Sequence, residues 1–271
     1  MPPPTSPSTD QGVTPWAAPQ RWSDEPDALA DDLLSWLRTV GAPANVAGMA
    51  RYGINPDGTL GVPMPVLRAA AAQLRPLRRL SPALVHATAA HLWTSGVHEA
   101  RILAALVDVP ALVTEAQADA WVADLDSWDV CDQLQKLFVT THFGHDKAIE
   151  WARRDETFVK RAGFVLMATL AVHDKAAPDS ALIGFLRVVE EEAMDERNYV
   201  KKAVNWALRQ IGKRSPVCHA AAVGTAERIL LLHPESSSAR WVARDALREL
   251  RSPEVAGRWG AGGPATQLQR Y

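Results

Sequence analysis

Strand-forming patterns are what this sequence most clearly lacks. Alternating Val/Ile/Thr runs bounded by Asn-Gly or Asp-Gly turns do not occur, and the one Asp-Gly pair, Asp57-Gly58, sits in a predicted loop. Cysteine is almost absent: Cys131 and Cys218 both fall inside predicted helices, which argues against a disulfide framework. No charged-then-apolar leader is recognisable at the start, and a reduced, cytoplasmic protein is expected. No apolar run approaches the roughly 18 residues needed to span a bilayer, so no membrane association is expected. Gly-rich phosphate loops of the Walker or Rossmann kind are missing, and no nucleotide or other cofactor is expected. Nor does either sign of charge dominate, the formal net charge being −2.

What is present is helix. Helix formers fill the chain, and the spacing predicts an all-α protein of about thirteen helices, near 27–40, 43–52, 63–75, 81–94, 97–108, 114–125, 127–142, 145–153, 156–173, 180–194, 198–213, 215–232 and 236–250. Pro43, Pro63, Pro65, Pro110 and Pro216 stand where helices should begin. A pair spacing on the order of 35 to 45 residues points to an α-α superhelix, a HEAT-like solenoid of about six antiparallel pairs with a concave basic groove. Residues 1–25 are rich in Pro, Ser and Thr and are expected to be disordered, Trp16 and Trp22 having no assigned role. The helical domain is expected over 26–252, and 253–271, with Gly257, Gly260, Gly262, Gly263 and Pro264, as a flexible tail.

Charge is unevenly placed along this frame. From Arg197 onward there are 13 Lys/Arg against 5 Asp/Glu, a net of +8, while the first 196 residues carry a net of −10. A basic last third can hold phosphates, although a solvated charged surface gives the same count.

Three stretches carry candidate chemistry. In Asn198–Lys213, Val200, Ala203, Val204, Ala207, Leu208 and Ile211 form the apolar stripe of a helix. Lys202, Trp206, Arg209 and Lys213 lie on the opposite side, at roughly 100° per residue. A tryptophan among cations there is either a platform for a ring-bearing anion such as a nucleic acid, or packing against a further helix with the cations snorkelling past it. In the second stretch, Ser127 or Asp126 can cap a helix in which Val130, Leu134, Leu137, Phe138 and Thr141 share the core face. Trp128 and Asp132, one turn apart, then point together away from it, and an aromatic beside a carboxylate can cup a cation, including a sugar that gains positive charge as its base departs. The alternative is a capped helix with a packed tryptophan and a solvated aspartate. The third stretch, Phe158–Phe164, opens a helix apolar nearly all round, so Arg161 must be paired or must reach an anion. Glu190, Glu191 and Glu192 are its expected salt-bridge partners on the structural reading. His142, His145 and Asp146 lack a third protein ligand and no metal is expected. Cys131, without an evident histidine partner, reads as a small packed thiol.

Tyr52-Gly53-Ile54, Leu60-Gly61-Val62 and Pro65-Val66-Leu67-Arg68 resemble the amino-terminal signature of the bacterial DNA alkylation repair family, the AlkD-like HEAT-repeat glycosylases. The resemblance continues through His98-Glu99-Ala100-Arg101, Ser127–Asp132, Arg161 and Val200–Arg209, covering roughly 45–250. It implies a curved solenoid whose concave face holds duplex DNA and which removes cationic N3- and N7-alkylpurines without flipping the base. Residue by residue, it implies that Trp128 and Trp206 lie against the lesion's backbone and sugar, that Asp132 supports depurination and that Arg161 sits near the phosphates. Cys131 before the carboxylate and a short Asp132–Arg161 interval depart from the family pattern. The expectation is therefore a monofunctional glycosylase acting as a monomer on double-stranded DNA with alkylated purines, Lys202, Arg209, Lys213, Arg240 and Arg244 supplying phosphate contacts. The alternatives are a non-catalytic solenoid that binds DNA of unusual shape or a protein with the same face, and a helical scaffold for a peptide.

Overall fold

The structure is a computed structural model that describes residues 16, 17 and 24–258. Among these residues every regular element is a helix. In chain order they are α1 Pro26–Thr39, α2 Pro43–Arg51, α3 Met64–Gln73, α4 Arg75–Leu80, α5 Pro82–Thr94, α6 His98–Val107, α7 Glu115–Ala123, α8 Trp128–Phe138, α9 Gly144–Ala152, α10 Thr157–His173, α11 Asp179–Glu191, α12 Asn198–Gly212, α13 Pro216–Leu232, α14 Ser237–Leu250 and α15 Pro253–Ala256. None is long and apolar enough to cross a membrane.

Proline punctuates these helices from within their first turn. It occupies N1 or N2 of α1 to α5, α13 and α15, where its missing N–H would have had no partner in any case. Pro43, Pro65 and Pro216 sit as expected, whereas Pro63 precedes α3 and Pro110 opens a turn. Pro76 starts a helix that the spacing missed, α4, at its second position. The helix expected to reach His142 ends at Phe138, because Thr141 caps the carbonyl of Phe138 and the chain turns into Gly144.

The chain divides into two compact units, one up to Leu112 and one from Val113. In the first, α5 packs on α1 and α6. Here the amino-terminal signature acquires a physical meaning. Glu99, wholly buried at the start of α6, accepts hydrogen bonds from the backbone N–H groups of Leu60 (2.8 Å), Gly61 (2.6 Å) and Val62 (3.1 Å). The loop can present three successive N–H groups because Gly61 adopts φ 82°, and a Cβ there would lie 2.2 Å from the Ala42 carbonyl oxygen. Trp16, set aside with the Pro-rich start, is only 3% exposed and donates its indole N–H to Asp32 at 3.0 Å. Trp22 and residues 259–271 lie outside the described residues, and α15 occupies the first four positions of the expected tail.

The second unit is layered. Its pairings climb together in residue number: Asp132 with Arg161, Arg161 with Tyr199, Asn205 with Val242 and Arg209 with Glu249. So α8, α10, α12 and α14 run side by side in the same direction. The other helices behave alike, Asp179 pairing with Ser215 and Glu190 with Arg228 between α11 and α13. Consecutive helices are thus antiparallel pairs, each adding one member to either layer. Closeness between layers depends on Gly163 of α10, whose added Cβ would fall 2.3 Å from Ala152 N and 2.7 Å from Ala148 O of α9. Phe138, Trp151, Phe164 and Phe185 fill the core between them.

Candidate nucleic-acid interface

The amino-terminal halves of α8, α10 and α12 are tied together by Arg161. Ser127 stands at the N-cap position of α8 and is buried. Trp128 and Asp132 follow one turn apart, both partly exposed, the Asp132 side chain at 18%. Arg161, 7% exposed, clamps that carboxylate: Nη2 lies 2.8 Å from Oδ1 and 3.0 Å from Oδ2, and Nε 3.1 Å from Oδ1. Its remaining arm, Nη1, donates to the Tyr199 carbonyl at 2.9 Å, reaching α12. Burial pushes the Asp132 carboxyl above the usual aspartate value, and the guanidinium pulls against that shift.

This arrangement corrects the expected ion pairing. Glu190 takes Arg228, Glu191 takes Arg187 and Arg153, and Glu192 takes Lys160, none of them Arg161. Lys201, at the start of α12, lies over the Trp241 ring at 5.8 Å. Arg161, expected at the DNA phosphates, has its guanidinium committed inside the protein. Cys131 is fully buried, its sulfur 4.0 Å from the Phe158 carbonyl, and burial pushes its thiol far up, leaving it inert as a nucleophile. His145 pairs with Asp174 at 3.0 Å and stacks on Phe185, while His142 meets the edge of Phe143.

On α12 the two faces separate as the periodicity predicts. Val200, Ala203, Val204, Ala207, Leu208 and Ile211 are fully buried. Opposite them, Lys202 is exposed and Trp206 half-buried. Arg209 and Lys213, also half-buried, both reach Glu249 on α14, so part of this face does meet a further helix. Burial works against ionisation of Glu249, but Lys213 and Arg209 overcome it and hold the carboxyl below its ordinary value. Asn205, buried beside them, donates to the Val242 carbonyl at 2.9 Å and fixes the register of α12 on α14.

On α14, Arg240 donates to the Pro234 carbonyl at 2.6 Å, and Arg244 is exposed with no hydrogen bond or ion pair among the described residues. The residue that sequence reasoning missed is Trp241, 40% exposed beside them. Its signal was available, since Trp241, Arg244 and Arg248 recur at three- and four-residue intervals, the outward stripe of a helix.

The comparisons with known proteins agree with this picture. No curated protein matches the chain. A solved structure with a TM-score of 0.59 and 18% identity, covering 73% of this chain and 81% of its own, comes from a family described as related to the HEAT-like repeat DNA glycosylases with affinity for branched DNA structures. At that identity the likeness establishes the fold, a HEAT-like helical one. The model of the DNA alkylation repair enzyme family matches residues 33–250, which include the Glu99 cradle, the Asp132–Arg161 clamp and both faces of α12, and the chain belongs to that family.

Proposed function

We propose that the chain is a monofunctional DNA glycosylase that hydrolyses the N-glycosidic bond of cationic N3- and N7-alkylpurines in duplex DNA without flipping the base. The observation that carries this reading is the Asp132 carboxylate, fixed in orientation by Arg161, partly exposed and one turn from Trp128. Of the roughly four lone-pair sites of a carboxylate, the guanidinium occupies three, so one remains for water or for the sugar.

The substrate's own charge lightens the chemistry. As the C1′–N bond breaks, its electron pair neutralises the alkylated purine, which leaves without needing a general acid. The positive charge moves to the deoxyribose, where Asp132 stabilises it and orients the water whose oxygen bonds to C1′; the water's proton passes to the carboxylate or to solvent. Trp128 and Trp206 hold the sugar by ring contact. Lys202, Arg209, Lys213, Arg240 and Arg244 contact phosphates, and Arg161 acts through Asp132 as a positioning residue. No lysine nucleophile is involved, so the product is an abasic site in DNA bound by a monomer.

The test is release of 7-methylguanine and 3-methyladenine from methylated duplex DNA. The native protein releases both, and Asp132→Asn and Trp206→Ala each slow release by at least about tenfold, or 1.4 kcal/mol of barrier. A second reading, a non-catalytic binder of DNA of unusual shape, draws support from the described affinity of the structural neighbour's family. Absence of release with salt-sensitive DNA binding retained would decide for it.

A further inference from the structure

Beside the residues already discussed, α14 presents a recess of about 420 Å³ lined by Ser237, Arg240, Trp241, Arg244, Asp245 and Arg248. Its aromatic wall is Trp241, at 40% exposure a large apolar surface left in water. Lys201, from the first turn of α12, holds its ammonium 5.8 Å from the centre of the indole. The cations around the ring are only partly neutralised. Arg248 is engaged by Asp245 and Arg240 by a backbone carbonyl, whereas Arg244 on α14 and Lys201 on α12 have no ion pair among the described residues. A flat aromatic ring edged by unneutralised cations suits a ligand with a planar ring and a nearby phosphate.

We infer that Trp241 is a stacking site for an unpaired nucleobase, with Arg244 holding the adjoining phosphate. This inference rests on the DNA-binding reading above and refines it. An indole can lie flat only on a base whose face is not already covered by a neighbouring base. Within a continuous duplex both faces are covered, so the site takes bases at gaps, junctions and strand ends. It gives the chain a preference for interrupted duplexes that the Trp128–Asp132–Trp206 group does not supply.

The experiment compares two labelled DNAs by fluorescence anisotropy with the full chain: a blunt, fully paired duplex and the same duplex carrying a three-base single-stranded gap. Trp241→Ala is expected to weaken binding of the gapped DNA roughly tenfold while changing duplex affinity by less than about twofold, and Trp241→Phe to keep most of the preference. Equal loss on both DNAs, or no loss on the gapped one, overturns the assignment while leaving the DNA-binding reading intact. Failure of the native protein to bind either DNA overturns both. The partly exposed position of Trp241 makes misfolding of the variants checkable by an unchanged helical circular dichroism spectrum and melting curve.

Discussion

Replacing Glu99 tests whether the amino-terminal signature is a folding device. In Glu99→Ala the backbone N–H groups of Leu60, Gly61 and Val62 lose their common acceptor, and a 0%-exposed site gives water little access. An orphaned buried N–H costs about 1–3 kcal/mol. Leu60 is partly exposed and can recover a water, so Gly61 and Val62 dominate and the loss is roughly 2–6 kcal/mol. That is a large share of the ~5–15 kcal/mol that holds a typical domain folded. Glu99→Gln keeps one oxygen acceptor but turns an NH₂ toward the remaining N–H, and should lose about half as much. The assay is urea unfolding followed by far-ultraviolet circular dichroism. With a denaturant slope of roughly 1–3 kcal/mol/M, the midpoint of the affected transition falls by at least about 0.7 M in Glu99→Ala. A shift worth less than about 1 kcal/mol would refute the reasoning, because the loop would then hold its shape without the carboxylate.

Three further outcomes follow from the same structure. Burial raises the Asp132 carboxyl and Arg161 opposes that rise, so base release, which needs the ionised form, should fall with decreasing pH through a value above that of an ordinary aspartate; Arg161→Gln removes the downward pull and moves this acid limb to higher pH, whereas an unmoved limb would separate Asp132 from the chemistry. Gly163→Ala forces α9 and α10 apart at backbone contacts of 2.3 and 2.7 Å, and should cost about 1–3 kcal/mol or more, read as a melting temperature lowered by several degrees. Lys202→Ala with Arg244→Ala should reduce the slope of log K against log salt by up to about 2, near 0.9 for each lost phosphate contact, and an unchanged slope would place DNA elsewhere.

The helical layout was legible because a 3.6-residue period survives in any single helix, and the buried and exposed faces of α12 could be read from Val200 to Lys213. The partners of those faces were not. Asp132 and Arg161 lie 29 residues apart and Glu99 lies 38 from Gly61, so nothing local announces that they touch. The expected pairing of Glu190, Glu191 and Glu192 with Arg161 failed because Asp132 of α8 already holds that guanidinium. Glu190 meets Arg228 of α13, Glu191 meets Arg187 one turn before it on α11 itself, and Glu192 meets Lys160 of α10. Pro76 marks a helix start that the spacing missed. A proline excludes continuation of the helix before it, but it equally favours the first turn of the next one, and α4 is that helix.

The charge count and the charge geometry lead to different pictures of how this protein holds an anion. The last third carries a net +8, yet Arg209 and Lys213 share Glu249, Arg228 is taken by Glu190, Arg248 by Asp245 and Arg251 by Glu227. The attraction available to a phosphate is therefore concentrated at a few exposed cations such as Lys202 and Arg244, and long-range pull is modest. Position matters more than charge in such a design. The carboxylate proposed to act on the sugar is oriented by Arg161, and that same guanidinium binds the first turn of α12, the helix bearing Trp206 and Lys202. A shift of α12 relative to α8 would thus disturb the carboxylate and the aromatic surface together. One buried arginine makes the geometry of the site a consequence of helix packing, so its loss should impair base release more than it impairs DNA affinity.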